Sequence, residues 1–212
     1  MRKALLVCGI VSSVYYVALN VYAPTQWDEY SVASQTVSEL SAIGAPTRTL
    51  WVWLVLPYPL LLIAFGAGVW LSSESSRRLR IAGGALIAHG VFGIYWPPMH
   101  LRGAVSGMPL TDILHIVWAG VTLLLMMVAI AFGALALGRR FRTYSGLTVI
   151  VFLVFGTLTG MESPRIAANL PTPLIGIWER INIAMFMLWV IVFAMALLPR
   201  PTARLARAAP VS

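Results

Sequence analysis

The chain reads as an all-α, polytopic membrane protein: a bundle of six transmembrane helices with both termini cytoplasmic and a short interfacial helix in the first outer loop. Three observations predict it. First, 59% of the residues are hydrophobic and 10% are charged, and the mean hydropathy is +0.85. A soluble fold of this length needs far more polar surface to cover its core. Second, six apolar stretches approach the ~20 residues that a helix needs to cross a bilayer. Third, eleven of the fifteen basic residues fall in four clusters: Arg2–Lys3, Arg77–Arg78–Arg80, Arg139–Arg140–Arg142 and Arg200–Arg204–Arg207. Each cluster is separated from the next by two apolar stretches and a loop poor in Lys and Arg. Basic residues are retained on the cytoplasmic side, so this alternation sets six crossings.

The first span is Ala4–Tyr22. Arg2-Lys3 ahead of it and Val21-Tyr22-Ala23 behind it imitate a signal peptide, but the run is long for one and Pro24 would follow the cut, so it reads as a permanent helix. Cys8, the single cysteine, lies inside it and reads as a small buried hydrophobe. The loop Ala23–Thr49 is the longest. Thr36 and Glu39 in it have capping-box spacing, and Ile43-Gly44-Ala45-Pro46 reads as a helix stop, which predicts the short helix on or dipping into the outer interface.

The second span, Leu50–Leu71, contains Pro57 and Pro59. Each removes a backbone donor, so a kink is expected whose freed carbonyls need partners on a neighbouring helix. The third, Ile81–Trp96, carries Gly83, Gly84, Gly90 and Gly93, a small-residue surface for close approach. Ile113–Leu137, Tyr144–Thr159 and Ile177–Leu198 complete the set. No internal repeat or long linker appears, so residues 1–198 read as one membrane domain and 199–212 as a basic, disordered cytoplasmic tail.

The net charge of +8 invites a nucleic-acid reading, but the basic residues sit at membrane ends, where anionic lipid headgroups are the partners. The acids show a second asymmetry. Only Glu74 falls on the cytoplasmic side; Asp28, Glu29, Glu39, Asp112, Glu162 and Glu179 fall in outer loops or at outer helix ends, with His100 and His115. A polar site facing the outer leaflet follows if the loops converge.

Asp112 and His115 share a helix face at i and i+3, which suits a carboxylate–imidazole unit for proton transfer. Asp112 alone is equally a first-turn acid favoured by free amides. His115 lies a turn inside the apolar region, where an ionisable side chain marks function by default. Ser38 beside Glu39 offers a nucleophile with a base, or simply a helix start. The candidate catalytic residues are therefore His115, Asp112, Ser38 and Glu39. Arg180, Glu179 and His89 are candidates for substrate binding: Arg180 has the fork that suits a lipid phosphate or an acid such as Asp112 or Glu39, Glu179 sits at a helix start, and His89 lies near mid-membrane. His115, Asp112 and His100 form a candidate set for a divalent metal such as zinc. Paired haem ligation by His89 and His115 is an awkward fit, because their depths differ by several ångströms and opposed ligands want similar height. Glu162-Ser163-Pro164-Arg165 reads as a turn. No hydrolase elbow, phosphate loop or HExxH motif is present.

Gln35-Thr36-Val37-Ser38-Glu39-Leu40, followed by Ile43-Gly44-Ala45-Pro46, together with His89, Asp112 to His115, and Trp178-Glu179-Arg180-Ile181, resembles the integral-membrane proteins catalogued as domain of unknown function 998. The resemblance covers nearly the whole chain and implies a six-helix bundle of the bacterial plasma membrane. The three-histidine zinc sites of the alkaline-ceramidase and adiponectin-receptor superfamily are an analogy only, because the chain lacks their Ser-x-x-x-His and His-x-x-x-His spacings and has one helix fewer. Three functions stay open at this point: an enzyme acting on a lipid or isoprenoid at the outer leaflet, a small-molecule binding or transport protein, and an accessory subunit with a protein partner.

Overall fold

The computed structural model describes residues 1–199; the basic cluster Arg200–Arg207 and nearly all of the expected disordered tail lie outside the described residues. The described residues form seven α-helices: α1 (Arg2–Tyr22), α2 (Arg48–Val55), α3 (Pro57–Leu71), α4 (Arg77–Ile94), α5 (Leu110–Ala136), α6 (Arg139–Ala167) and α7 (Ile175–Leu197). Two 3-10 turns, Ala23–Gln26 and Val37–Ser41, sit in the first long loop. Arg2–Gln26, Arg48–Leu71, Leu110–Ala136, Arg139–Ala167 and Ile175–Leu197 are each long and apolar enough to cross a membrane. The sixth segment, α4, is not among these: it spends its first turn on Arg77, Arg78 and Arg80 and ends at Ile94, so its apolar part is shorter than the expected Ile81–Trp96.

Helices α2 and α3 are one span broken at Leu56, where Pro57 opens the second piece. The helical hydrogen-bond pattern lapses at Leu56, which keeps α-helical dihedrals (φ −53°, ψ −37°), and α1 reaches this point: the Tyr15 hydroxyl donates to the Leu54 carbonyl at 2.5 Å. Packing runs round the bundle as α1–α3–α4–α5–α6–α7 and closes from α7 back onto α1. The tightest seam, α3 on α4, depends on glycine. A Cβ at Gly83 would lie 2.8 Å from both the Gly66 carbonyl oxygen and the Trp70 nitrogen. Leu6, Phe65, Leu86, Ile130, Trp189 and Phe193 fill the core on the axis of the ring.

The two ends differ as the charge pattern predicts. At the basic end, Arg2 donates to the Ser72 hydroxyl and the Leu197 carbonyl, both at 3.3 Å, and Arg78 donates to the Leu135 carbonyl at 2.8 Å. These bonds gather the start of α1 with the ends of α3 and α7, and the start of α4 with the end of α5. The opposite end carries the loops 23–47, 95–109 and 168–174, and they pack into a cap.

One helix end differs from expectation. The fifth span runs to Ala167, well beyond Thr159, so Glu162, Ser163, Pro164 and Arg165 form its last turns and not a loop turn. Pro164 has no N–H to give the Gly160 carbonyl, and the helix ends within one turn of it. Ser163 also returns its hydroxyl to the Thr159 carbonyl at 3.1 Å.

Candidate functional site

The cap is built on the 3-10 turn Val37–Ser41. Glu39 accepts the Thr36 N–H at 2.8 Å, as the capping-box spacing requires. Its side chain is 0% exposed, so this is no interfacial helix resting on the surface; the turn dips into the mouth of the bundle. A buried carboxylate needs a partner, and it has one in Arg102. Arg102 Nε donates to Glu39 Oε1 at 2.6 Å and Nη2 to Oε2 at 2.8 Å, a bidentate fork. Those bonds from Glu39 hold the Arg102 guanidinium above its ordinary value. The same guanidinium reaches the Thr172 hydroxyl and the Ser34 carbonyl, both at 3.0 Å. Glu39 is therefore structural: its oxygens are committed to Arg102 and Thr36, and it is no base for Ser38.

Arg180 binds through its two Nη groups, while its buried Nε has no hydrogen-bond partner. It donates to the carbonyls of Val32, Gln35 and Gly176 and to the Tyr30 hydroxyl, the last at 2.7 Å. Burial pushes the Tyr30 hydroxyl up to about 12, so it stays a neutral acceptor of that bond. Arg180 thus pairs with neither Asp112 nor Glu39, and its fork grips backbone instead of presenting itself to a phosphate. Glu179 accepts the Val37 N–H at 2.5 Å, so two successive residues of α7 hold the loop that carries Ser38.

His115 and Ser38 meet. His115 Nε2 lies 3.2 Å from Ser38 Oγ, and His115 Nδ1 lies 2.7 Å from the Pro97 carbonyl oxygen. A carbonyl only accepts, so Nδ1 carries the proton, and Nε2 is left as the acceptor for the serine hydroxyl. This is the geometry of a nucleophile and its general base, with a backbone carbonyl orienting the base.

Asp112 is not part of that unit. Its Oδ1 accepts the His100 backbone N–H at 3.0 Å and pairs with His100 Nδ1 at 2.9 Å. The expected Asp112–His115 pair on one helix face is replaced because loop 95–109 folds back over the start of α5. The loop is pinned there by a bridge in which Ile43 donates to the Met99 carbonyl at 2.8 Å and Leu101 donates to the Ile43 carbonyl at 3.1 Å. Gly44 takes the left-handed turn that follows, φ 96°, where a side chain would be strained.

The metal set His115, Asp112 and His100 does not come together. Both ring nitrogens of His115 are engaged by Pro97 and Ser38, while Asp112 and His100 serve each other. Among the described residues, no three His, Cys, Asp or Glu side chains are placed to hold a metal ion.

Two cavities share Ser38 and His115. The inner one, about 260 Å³, runs into the bundle between largely apolar walls that include Val55, Leu123, Met126, Phe152 and Phe186. The outer one, about 200 Å³, lies under loop 95–109 between α5 and α6 and is lined by His100, Asp112, Thr159 and Ser163. Glu179 borders both. His89 lines the inner cavity, set edge-on to Phe186 at 5.5 Å between ring centroids. Its buried Nδ1 has no hydrogen-bond partner.

Two participants escaped the sequence. Arg102 lies outside the four basic clusters with no local signature, and only its distance to Glu39 reveals its role. The Pro97 carbonyl has no signature at all, because every residue has one.

Residues 10–196 match the family described as Protein of unknown function (DUF998), and the chain belongs to that family. No curated protein and no solved structure matches it.

Proposed function

We propose that this DUF998 protein is a membrane-embedded serine acyl hydrolase or acyltransferase, with Ser38 as nucleophile and His115 as its general base. One observation carries this reading: the Ser38 hydroxyl at 3.2 Å from His115 Nε2, with Nδ1 fixed by the Pro97 carbonyl, at the junction of an apolar and a polar cavity. The substrate class follows from the walls. An ester places its hydrocarbon chain in the inner cavity, its carbonyl carbon at Ser38, and its polar leaving group in the outer cavity. A membrane lipid is the natural source of such an ester for a site reached from within a bilayer.

In this reading the end that carries Arg2, Arg78 and Arg140 faces the cytoplasm, with both termini, and the capped end faces the outer leaflet of a bacterial plasma membrane; the retention of basic residues on the cytoplasmic side supports it. Arg180 serves the site by holding the loop that carries Ser38 through its two Nη groups. His89 touches the hydrocarbon chain as a polar neighbour at depth.

The test is turnover of p-nitrophenyl octanoate by the detergent-purified full chain. Hydrolysis abolished in Ser38→Ala and lowered by about 10²–10⁴-fold in His115→Ala supports the reading. Equal rates in wild type and Ser38→Ala overturn it.

A further inference from the structure

The His100–Asp112 pair stands in the outer cavity and has no task in the deprotonation of Ser38 by His115. We infer that His100, held by Asp112, is a second acid–base group that serves the leaving group and the acceptor, so that the outer cavity is the binding site for an acceptor hydroxyl. This inference rests on the Ser38 nucleophile reading.

The geometry is specific. Asp112 Oδ1 takes both the backbone N–H and the ring Nδ1 of His100, at 3.0 and 2.9 Å, which fixes the ring in rotation as well as position. With Nδ1 so engaged, Nε2 is the atom left to exchange a proton. Each side chain of the pair is 19% exposed, at the wall of the cavity that Ser38 and His115 also line. A single segment, Pro97–Arg102, supplies the carbonyl that orients His115, the ring of His100, and the guanidinium that clamps Glu39 next to Ser38. The two histidines are thereby held in fixed relation on the same cavity.

The protons balance with two groups. In acylation, Ser38 gives its proton to His115 Nε2 as its oxygen bonds to the acyl carbon. The bond from that carbon to the leaving oxygen then breaks, and that oxygen takes a proton from His100, which enters as an imidazolium against the Asp112 carboxylate. In transfer, the acceptor hydroxyl gives its proton to His100 Nε2 and its oxygen bonds to the acyl carbon. The bond to Ser38 Oγ breaks, and that oxygen recovers its proton from His115. Both histidines return to their starting states. The acceptor is water or an alcohol small enough for about 200 Å³.

The experiment compares two octanoyl esters on the detergent-purified full chain, with intact-mass detection of octanoyl-Ser38. p-Nitrophenol needs no proton to leave, whereas the alcohol of an ethyl ester does. His100→Ala and Asp112→Asn are expected to acylate from p-nitrophenyl octanoate at near wild-type rate, to accumulate octanoyl-Ser38 that wild type does not, and to lose about 10²-fold on ethyl octanoate. Equal losses on both esters without accumulation overturn the inference and reduce the pair to a structural clamp, while leaving the nucleophile reading intact. Absence of any octanoyl-Ser38 in wild type and variants, with turnover persisting in Ser38→Ala, overturns both.

Discussion

The Pro97 carbonyl lies 2.7 Å from His115 Nδ1, and that one backbone oxygen decides which way the imidazole works. It holds the proton on Nδ1 and turns the lone pair of Nε2 toward Ser38. In many serine enzymes a carboxylate does this. A carbonyl orients the ring without contributing a full charge, which suits a site sunk into a bilayer, where an extra buried anion is costly.

Arg102→Ala leaves the Glu39 carboxylate buried without its guanidinium. Breaking a buried pair in this way costs roughly 3–5 kcal/mol, read as a lower thermal unfolding temperature in detergent together with loss of turnover. Arg102→Lys is expected to rescue little, because an ammonium cannot make the two-pronged contact. A variant as stable as wild type would show that the fork contributes nothing.

Gly83→Ala and Gly120→Ala should separate cleanly. At Gly83 the new methyl meets backbone of α3 that cannot yield, so the α3–α4 seam opens and the unfolding temperature drops. At Gly120, in the middle of α5, nothing lies within 4 Å, and removing a flexible glycine from a helix adds roughly 0.5–1 kcal/mol. Similar shifts for both would contradict the packing described.

Gly176→Ala directs a methyl at the carbonyl oxygens of Gln35 and Val32. The loop that carries Ser38 has to move, so turnover falls by an order of magnitude or more with the transmembrane packing unchanged. Helical circular dichroism and the ester assay check the two halves. Full activity in this variant would mean that the cap does not position the serine.

The orientation in the membrane is open to cysteine labelling. With Cys8 replaced by alanine, Ser106→Cys in the exposed part of loop 95–109 should react with a membrane-impermeant maleimide added outside intact cells. Ser75→Cys, exposed beside Glu74 at the basic end, should react only after lysis. The reverse pattern would invert the topology.

The spans and their two chemically distinct ends were legible because they depend on composition and charge along the chain, and the interruption at Pro57 because it depends on a missing donor. Ser38 and His115 each stood out locally, one beside an acid and the other by its depth. Their meeting did not, since 77 positions separate them and it is the folding of loops 23–47 and 95–109 that joins them. Asp112 shows the limit most clearly. Its i, i+3 spacing to His115 is genuine, yet a loop histidine fifteen residues before His115 takes its oxygen instead. Helix periodicity says which side chains share a face; it does not say what a loop lays over that face.

The central claim is that Ser38 is a nucleophile activated by His115. Its most direct measurement is labelling of the detergent-purified full chain with a biotinylated fluorophosphonate, with the modified peptide mapped by mass spectrometry. The account predicts a single adduct on Ser38, absent in Ser38→Ala and formed at least about 10²-fold more slowly in a folded His115→Ala variant. No adduct on Ser38, or one that forms as fast without the His115 imidazole, would contradict it.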